Sequence, residues 1–341
     1  MKEIPNSRSL IPVRGDMTIS VLDLRPQLLE RKQRLEAIIP TLGEPSEAVR
    51  LLQEVDGALK RMDAGWYGVC ESCRGQIERD RLIVDPLVRV CLDCLSQTQQ
   101  RSLEDDLDLA ARIQAALLPK NNLSCCGYEV SYYYEPAGPV SGDYCDVVQT
   151  GAEQDRLLFV LGDVSGKGLS ASLLVSHLHA AFHALVGFDF PVEKLIARAN
   201  RVLCESALST HYATLICGIG DPRGNVQLCN AGHLPAIHVH NGEAALLNAT
   251  GVPLGLFCDS RYIIHTVSLE PGDALLLYSD GISEAQRQNE EFGIERVTQV
   301  ACAHGHRPAA ELLGAAMRQL NEFLSGASKQ DDLTIMAVRR L

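Results

Sequence analysis

Cys70-Glu-Ser-Cys73, followed 17 residues later by Cys91-Leu-Asp-Cys94, constrains the folding of this chain more tightly than any other feature. Two C-x2-C knuckles at that spacing match a zinc pattern. Each knuckle presents two thiolates, and four thiolates complete a tetrahedral shell about 2.3 Å from a Zn2+ ion. Gly68 before the first knuckle and Gly75 after it permit tight turns. The segment has few large apolar residues, so the ion would supply much of its folding free energy. Two disulfides or four free thiols are the other readings of Cys70, Cys73, Cys91 and Cys94. A closed four-cysteine shell has no open position, so one structural Zn2+ is expected, without catalysis at it.

The knuckles fill only a small part of 341 residues, a length that suggests about two domains. Charge divides unevenly between them. Residues 1–100 carry 14 basic and 15 acidic side chains, whereas residues 101–341 carry 17 and 28 of the −12 total. So acidic a second half is unsuited to gripping phosphate backbones, and no direct nucleic-acid binding is expected, but it suits divalent cations. Met1–Pro12 has no apolar core segment, which predicts no secretory signal and a cytoplasmic protein whose other cysteines stay reduced. The longest uncharged stretch, Gly168–Phe188, contains His177, His179 and His183 and reads as a buried core helix rather than a membrane span.

After a tail at 1–16, apolar residues at helical spacing (Val21, Leu24, Leu28, Leu35, Ile38, then Val49, Leu52, Val55, Leu59, Met62) predict a helical hairpin over 17–66. Pro40 and Pro45 break it in the middle. The zinc module occupies 67–97. An amphipathic helix follows over 98–119, closed by Pro119, and either packs on a neighbouring module or pairs with a second copy of itself. From 120 to 341, short apolar runs alternate with turns such as Asn241-Gly242 and surround three helical patterns. No βαβ repeat is visible, so the expectation is α+β layers with mainly antiparallel sheets.

Four aspartate motifs punctuate that second half: Ser141-Gly-Asp143-Tyr-Cys-Asp146, Gly162-Asp163, Asp280-Gly281 and Asp331-Asp332. Leu157–Leu161 runs into Asp163, Ala274–Tyr278 into Asp280, and Asp331 leads into Leu333–Val338. Carboxylates at strand ends can converge although distant in sequence. Any one of them alone would more often be a turn. Together they suit hard cations such as Mg2+ or Mn2+.

Two resemblances follow from these residues. Ala64–Cys73 and Arg81–Cys94, preceded by a helical hairpin, resemble the DksA/TraR zinc finger, whose members engage RNA polymerase. The hairpin tip Thr41–Pro45 lacks the paired aspartates that those members carry, which argues against the polymerase as a partner here. Ala110–Pro119, Pro139–Asp146, Asp163–Gly168, Asn230–Pro235, Pro253–Leu256, Tyr278–Gly281 and Asp331–Thr334 resemble, in order, the SpoIIE/RsbU-type metal-dependent (PPM, 2C-type) phosphatases.

That second resemblance implies an αββα sandwich with two Mn2+ or Mg2+ ions between two sheets. It implies that Asp163 bridges both ions, that the Val164 carbonyl completes one shell, and that Asp280 and Asp331 hold the second ion. Asp143 is expected to support the first ion, while Asp146 and Asp332 stand behind the ligands. The implied reaction is hydrolysis of phosphoserine or phosphothreonine on a STAS-type anti-sigma-factor antagonist, with no cysteine nucleophile. The zinc unit would act as sensor or docking element, and helix 98–119 as a dimer contact. The competing expectation is a non-enzymatic adaptor of the transcription machinery with a degenerate phosphatase domain.

Overall fold

The structure is a computed structural model and describes residues 17–39, 46–188, 190–206, 211–327 and 329–341. The expected tail and the Pro40–Pro45 turn lie outside them. The chain divides into two compact units, Met1–Arg101 and Ser102–Leu341.

In the first unit, α1 (Met17–Ile38) and α2 (Ser46–Asp63) lie antiparallel. Arg25 pairs with Asp63 at 2.7 Å and Lys32 with Asp56 at 2.6 Å, so contacts run up one helix and down the other. Leu24, Leu28, Val55, Ala58 and Leu59 bury their side chains in one cluster with Tyr67, Cys70, Ile77, Leu82 and Cys91. The hairpin is therefore the roof of the cysteine module, whose own apolar content is too small to close a core. A short helix, α3 (Arg79–Val84), separates the two knuckles. Then α4 (Gln97–Leu117) runs across the division between the units.

The second unit begins with β1 (Leu123–Cys125), β2 (Tyr128–Glu135), β3 (Asp143–Thr150) and β4 (Arg156–Val164). Two helices follow, α5 (Leu169–Val186) and α6 (Val192–Ser206). Next come β5 (Ala213–Gly220), β6 (Asn225–Ala231), β7 (Ala236–His240), β8 (Glu243–Leu247), β9 (His265–Ser268) and β10 (Ala274–Tyr278). The chain ends with α7 (Asp280–Ser283), a hairpin of β11 (Gln286–Arg287) and β12 (Glu290–Glu291), α8 (Gly293–His304), α9 (Ala309–Leu324) and β13 (Leu333–Arg340). One sheet has the order β1-β2-β13-β10-β7-β8 and the other β3-β4-β5-β6-β9. Strand pairing is antiparallel throughout both.

Strand alternation explains the layering. On β4, Leu157, Phe159 and Leu161 join the core between the sheets, while Leu158, Val160 and Val164 join the core under α5 and α6. On β13, Met336 and Val338 enter the first of these, and Leu333, Ile335 and Ala337 enter the core under α8 and α9. Strands buried on both faces read as unbroken apolar runs, the pattern visible in the sequence. The result is the expected αββα sandwich. α5 is apolar and long enough to span a membrane by composition. Ala171, Val175, Leu178 and Phe182 pack it into the sandwich.

Candidate active site

The site forms where the gap between the sheets opens. On β3, Asp143 shares the parity of Cys145 and Val147, and on β4, Asp163 shares that of Leu161, so both point between the sheets. The two residues are direct partners across β3 and β4. From the facing sheet, the Thr334 hydroxyl donates to Asp143 Oδ2 at 2.5 Å. Ser279 closes the opposite strand ends. Its amide donates to the Thr334 carbonyl at 2.8 Å, and its hydroxyl accepts the Thr334 amide at 3.0 Å. That pairing carries Asp280, at the start of α7, to the segment bearing Asp331 and Asp332.

Asp332 does not share the orientation of Asp331. Its carboxylate accepts the amides of Ala137 at 2.7 Å and Gly142 at 2.8 Å, fixing the loop before Asp143. Gln114 of α4 holds the same loop through two buried hydrogen bonds with the backbone of Ser141, at 2.8 and 2.9 Å. The Val164 carbonyl lies beside Gly142, whose Cβ, if it had one, would stand 3.3 Å from that oxygen and 3.5 Å from Asp163 Oδ1. Lys167, in the turn before α5, pairs with Asp331 at 2.8 Å and remains two-thirds exposed. Asp280, Asp331, Lys167 and Glu284 line a cleft of about 170 Å3.

Electrostatics follow from this crowding. Burial lifts the Asp163 pKa to about 7, helped by repulsion from Asp280, Asp331 and Asp332. Burial also raises Asp143 well above the carboxylate range, although the Thr334 hydrogen bond opposes it. Asp280 and Glu284 are raised as well, first by burial and then by neighbouring carboxylates. The cluster disfavours its own ionised form and is met by the Lys167 ammonium. Divalent cations suit such a set of carboxylates, since they would relieve the repulsion of Asp163 with Asp280, Asp331 and Asp332.

Asp146 departs from expectation. It lies three residues along β3 from Asp143, so the pleat turns it to the opposite face, toward α5. Its carboxylate meets Tyr144, Val147 and His183 rather than the aspartate cluster. Gly281 is set by a close backbone approach. It sits inside α7, and a Cβ there would fall 2.0 Å from the Asp332 carbonyl oxygen. Gly281→Ala should therefore separate Asp280 from Asp331, lowering metal affinity at least tenfold and stability by about 1–3 kcal/mol. Calorimetric Mn2+ titration and thermal melts check both.

His233 is a brace. Its Nδ1 accepts the Thr214 hydroxyl at 2.8 Å, and its Nε2–H donates to the Tyr278 carbonyl at 3.1 Å, joining the two sheets. Burial lowers its pKa to about 4. Glu284 and Thr334 had not been singled out from the sequence, although Glu284 lies four residues from Asp280. One cysteine-phosphatase spacing does occur, Cys217-x5-Arg223. Cys217 is fully buried in β5, which pushes its thiol pKa well up, and Arg223 sits in the β5–β6 turn. The expectation of no cysteine nucleophile is unaffected.

At the zinc module, one sulfur from each of Cys70, Cys73, Cys91 and Cys94 lies within 4.8 Å of all the others. The Cys70 amide donates to the Gly75 carbonyl at 2.8 Å, which closes the first knuckle, and the Cys94 amide to Cys91 at 3.1 Å closes the second. Backbone hydrogen bonding from Cys73 lowers the Cys70 pKa to about 6, favouring a thiolate there, while burial raises Cys91 and hydrogen bonding with Cys91 raises Cys94. All twelve cysteines are free thiols in this structure.

Residues 153–341 match the family described as Stage II sporulation protein E (SpoIIE), and residues 65–100 match the prokaryotic dksA/traR C4-type zinc finger. Protein IcfG of Synechocystis is 26% identical over 265 residues, which cover 69% of this chain but 41% of IcfG. The phosphoserine phosphatase RsbU of Bacillus subtilis is 23% identical, covering 71% of this chain and 72% of RsbU. The crystal structure of the RsbU and RsbW domains of Rv1364c from Mycobacterium tuberculosis aligns with a TM-score of 0.56 and 27% identity, covering 65% of this chain and 63% of that one. With more than half its length inside the family match and the sandwich in place, the chain belongs to the SpoIIE family and carries a DksA/TraR-type four-cysteine zinc finger ahead of that domain.

Proposed function

We propose that this chain is a metal-dependent protein serine/threonine phosphatase acting in partner-switching regulation. Its substrate would be a phosphoserine or phosphothreonine on a STAS-type anti-sigma-factor antagonist in the cytoplasm. The observation that supports the reading is Asp163, the cross-strand partner of Asp143, which burial and repulsion from Asp280, Asp331 and Asp332 lift to about 7. The name of the relative RsbU, a phosphoserine phosphatase, supports the same reading.

Asp143, Asp163, the Val164 carbonyl, Asp280 and Asp331 would hold two Mn2+ or Mg2+ ions. Such a pair supplies a water of lowered pKa and neutralises charge on the phosphoryl oxygens. The chain's own residues set the geometry. Thr334 fixes Asp143, Asp332 and Gln114 hold the loop before it, and His233 and Ser279 anchor the strand that ends at Asp280. Lys167, exposed at the cleft, can meet a phosphoryl oxygen once released from Asp331. The zinc unit would dock or sense. Leu109 and Ile113, half-exposed and one turn apart on α4, support a homodimer contact along that helix.

The test is phosphate release from phosphorylated STAS-type proteins by the full chain, with and without Mn2+. Release that requires Mn2+ is expected. No release from any such protein at saturating Mn2+, with the fold intact, favours the adaptor reading. Equal activity and partner binding by a 120–341 fragment would remove the docking role of the zinc unit.

A further inference from the structure

Among the described residues, Asp146, His179 and His183 are the other group of metal-ligand side chains that gathers, with one ligand atom from each within 4.8 Å of the rest. They lie on the α5 face of β3, away from the gap between the sheets. Asp146 is almost fully buried. Its Oδ1 accepts the Val147 amide at 2.8 Å, and its Oδ2 accepts the Tyr144 hydroxyl at 2.8 Å. The same Oδ2 stands 2.9 Å from His183 Nε2 and 3.5 Å from His179 Nδ1.

The helix makes this possible. His179 and His183 are four residues apart, so both project from one face of α5, with ring centroids 4.1 Å apart. His179 Nδ1 is buried and has no hydrogen-bond partner. An orphaned buried nitrogen costs about 1–3 kcal/mol, so its placement needs a reason.

We propose that Asp146, His179 and His183 bind one divalent first-row transition ion, with Zn2+ as the test ion, separate from both the aspartate cluster and the four cysteines. Ligand atoms about 2.1 Å from a common ion lie roughly 3.4 Å apart in a tetrahedron. The 3.5 Å separation matches that spacing, and the 2.9 Å hydrogen bond between His183 and Asp146 would open by about 0.5 Å to admit the ion. Two imidazoles with one carboxylate select Zn2+-like ions over Mg2+ or Ca2+. Tyr144 and Val147 hold the carboxylate from behind, the support that ligating carboxylates ordinarily receive. The ion would tie α5 to β3 at a sensitive place. Asp146 is three residues from Asp143, and α5 starts directly after the turn that carries Lys167. Occupancy would therefore stiffen the frame of the aspartate cluster without entering it.

Zinc content of the full chain tests this, measured by atomic emission after growth and desalting in Zn2+ with excess Mg2+. Wild type should retain two equivalents, and His183→Ala and His179→Ala one each. His183 is close to half exposed, so its truncation leaves the core packed. In a Co2+ titration, His183→Ala should lose the nitrogen–oxygen visible band with at least a tenfold drop in affinity at that site, while the thiolate band persists. Zn2+ beyond the first equivalent should raise the melting temperature of wild type and leave His183→Ala unmoved. A wild type holding one equivalent, or a His183→Ala chain holding two, overturns the proposal.

Discussion

Asp163→Asn should lower Mn2+-dependent phosphate release at least a hundredfold and, in the same chain, stabilise the metal-free C-terminal unit at pH 8. Both effects come from one cause. Asp163 is buried beside Asp280, Asp331 and Asp332, and its folded pKa is lifted to about 7. In the unfolded chain it titrates near 3.9. Below the unfolded value both states hold the proton, and the carboxyl costs nothing. Between about 4 and 7 the unfolded chain releases its proton while the folded chain keeps it, so stability falls as pH rises. Above about 7 the full penalty applies, roughly 2–4 kcal/mol at 1.36 kcal/mol per unit. Asn has no proton to lose and escapes it. With saturating Mn2+ the order should invert, because wild type gains binding free energy that the variant cannot. Melts at pH 5 and pH 8, with and without Mn2+, read the four corners of this cycle. An Asn variant less stable than wild type at pH 8 without Mn2+, or one that keeps its activity, contradicts the account.

That prediction depends on positions far apart in sequence, and the sequence conveyed some of them better than others. The sandwich was legible because β4, β10 and β13 are buried on both faces and appear as unbroken apolar runs. Turns such as Asn241-Gly242 mark where β7 returns as β8. The aspartates were legible as strand-end residues, but their convergence was not. It depends on β13 lying between β2 and β10, a non-local pairing that no local pattern encodes. Asp146 shows the reverse failure. Its distance of three from Asp143 already placed it on the other face of a strand, yet the shared motif drew both toward one site. His179 and His183 carried a readable signal in their spacing of four, but without β3 there was no carboxylate to set against them. Glu284 had the same spacing from Asp280, but it directly follows a helix too short to be recognised by periodicity. The need for Gly281 was not legible either: the Asp332 backbone, distant in sequence, occupies the space of a Cβ.

Cys91→Ser, or stripping zinc with a chelator, should unfold the first unit while the second stays folded. Among the described residues, the apolar cluster of that unit has ten buried members, and two of them are ligand cysteines, Cys70 and Cys91. Removing the ion therefore opens the core itself and does not merely loosen a loop. Structural zinc in small four-ligand modules contributes about 10–16 kcal/mol, more than a hairpin and two knuckles of this size can replace. The four sulfurs would also be left mutually repulsive wherever more than one ionised, since they lie within 4.8 Å of one another. The helix pair depends on this floor: Leu24, Leu28, Val55 and Leu59 pack against Tyr67 and Ile77, and would face water without it. Trypsin reports the change directly, because Arg74, Arg79, Arg81 and Arg89 lie between or beside the knuckles. Cleavage there should accelerate at least tenfold after chelation, with residues 120–341 left as a resistant core. The two units are separately compact, which is why the second should survive. A chelated chain that resists trypsin as well as the zinc-loaded one would show that the hairpin closes its core without the ion.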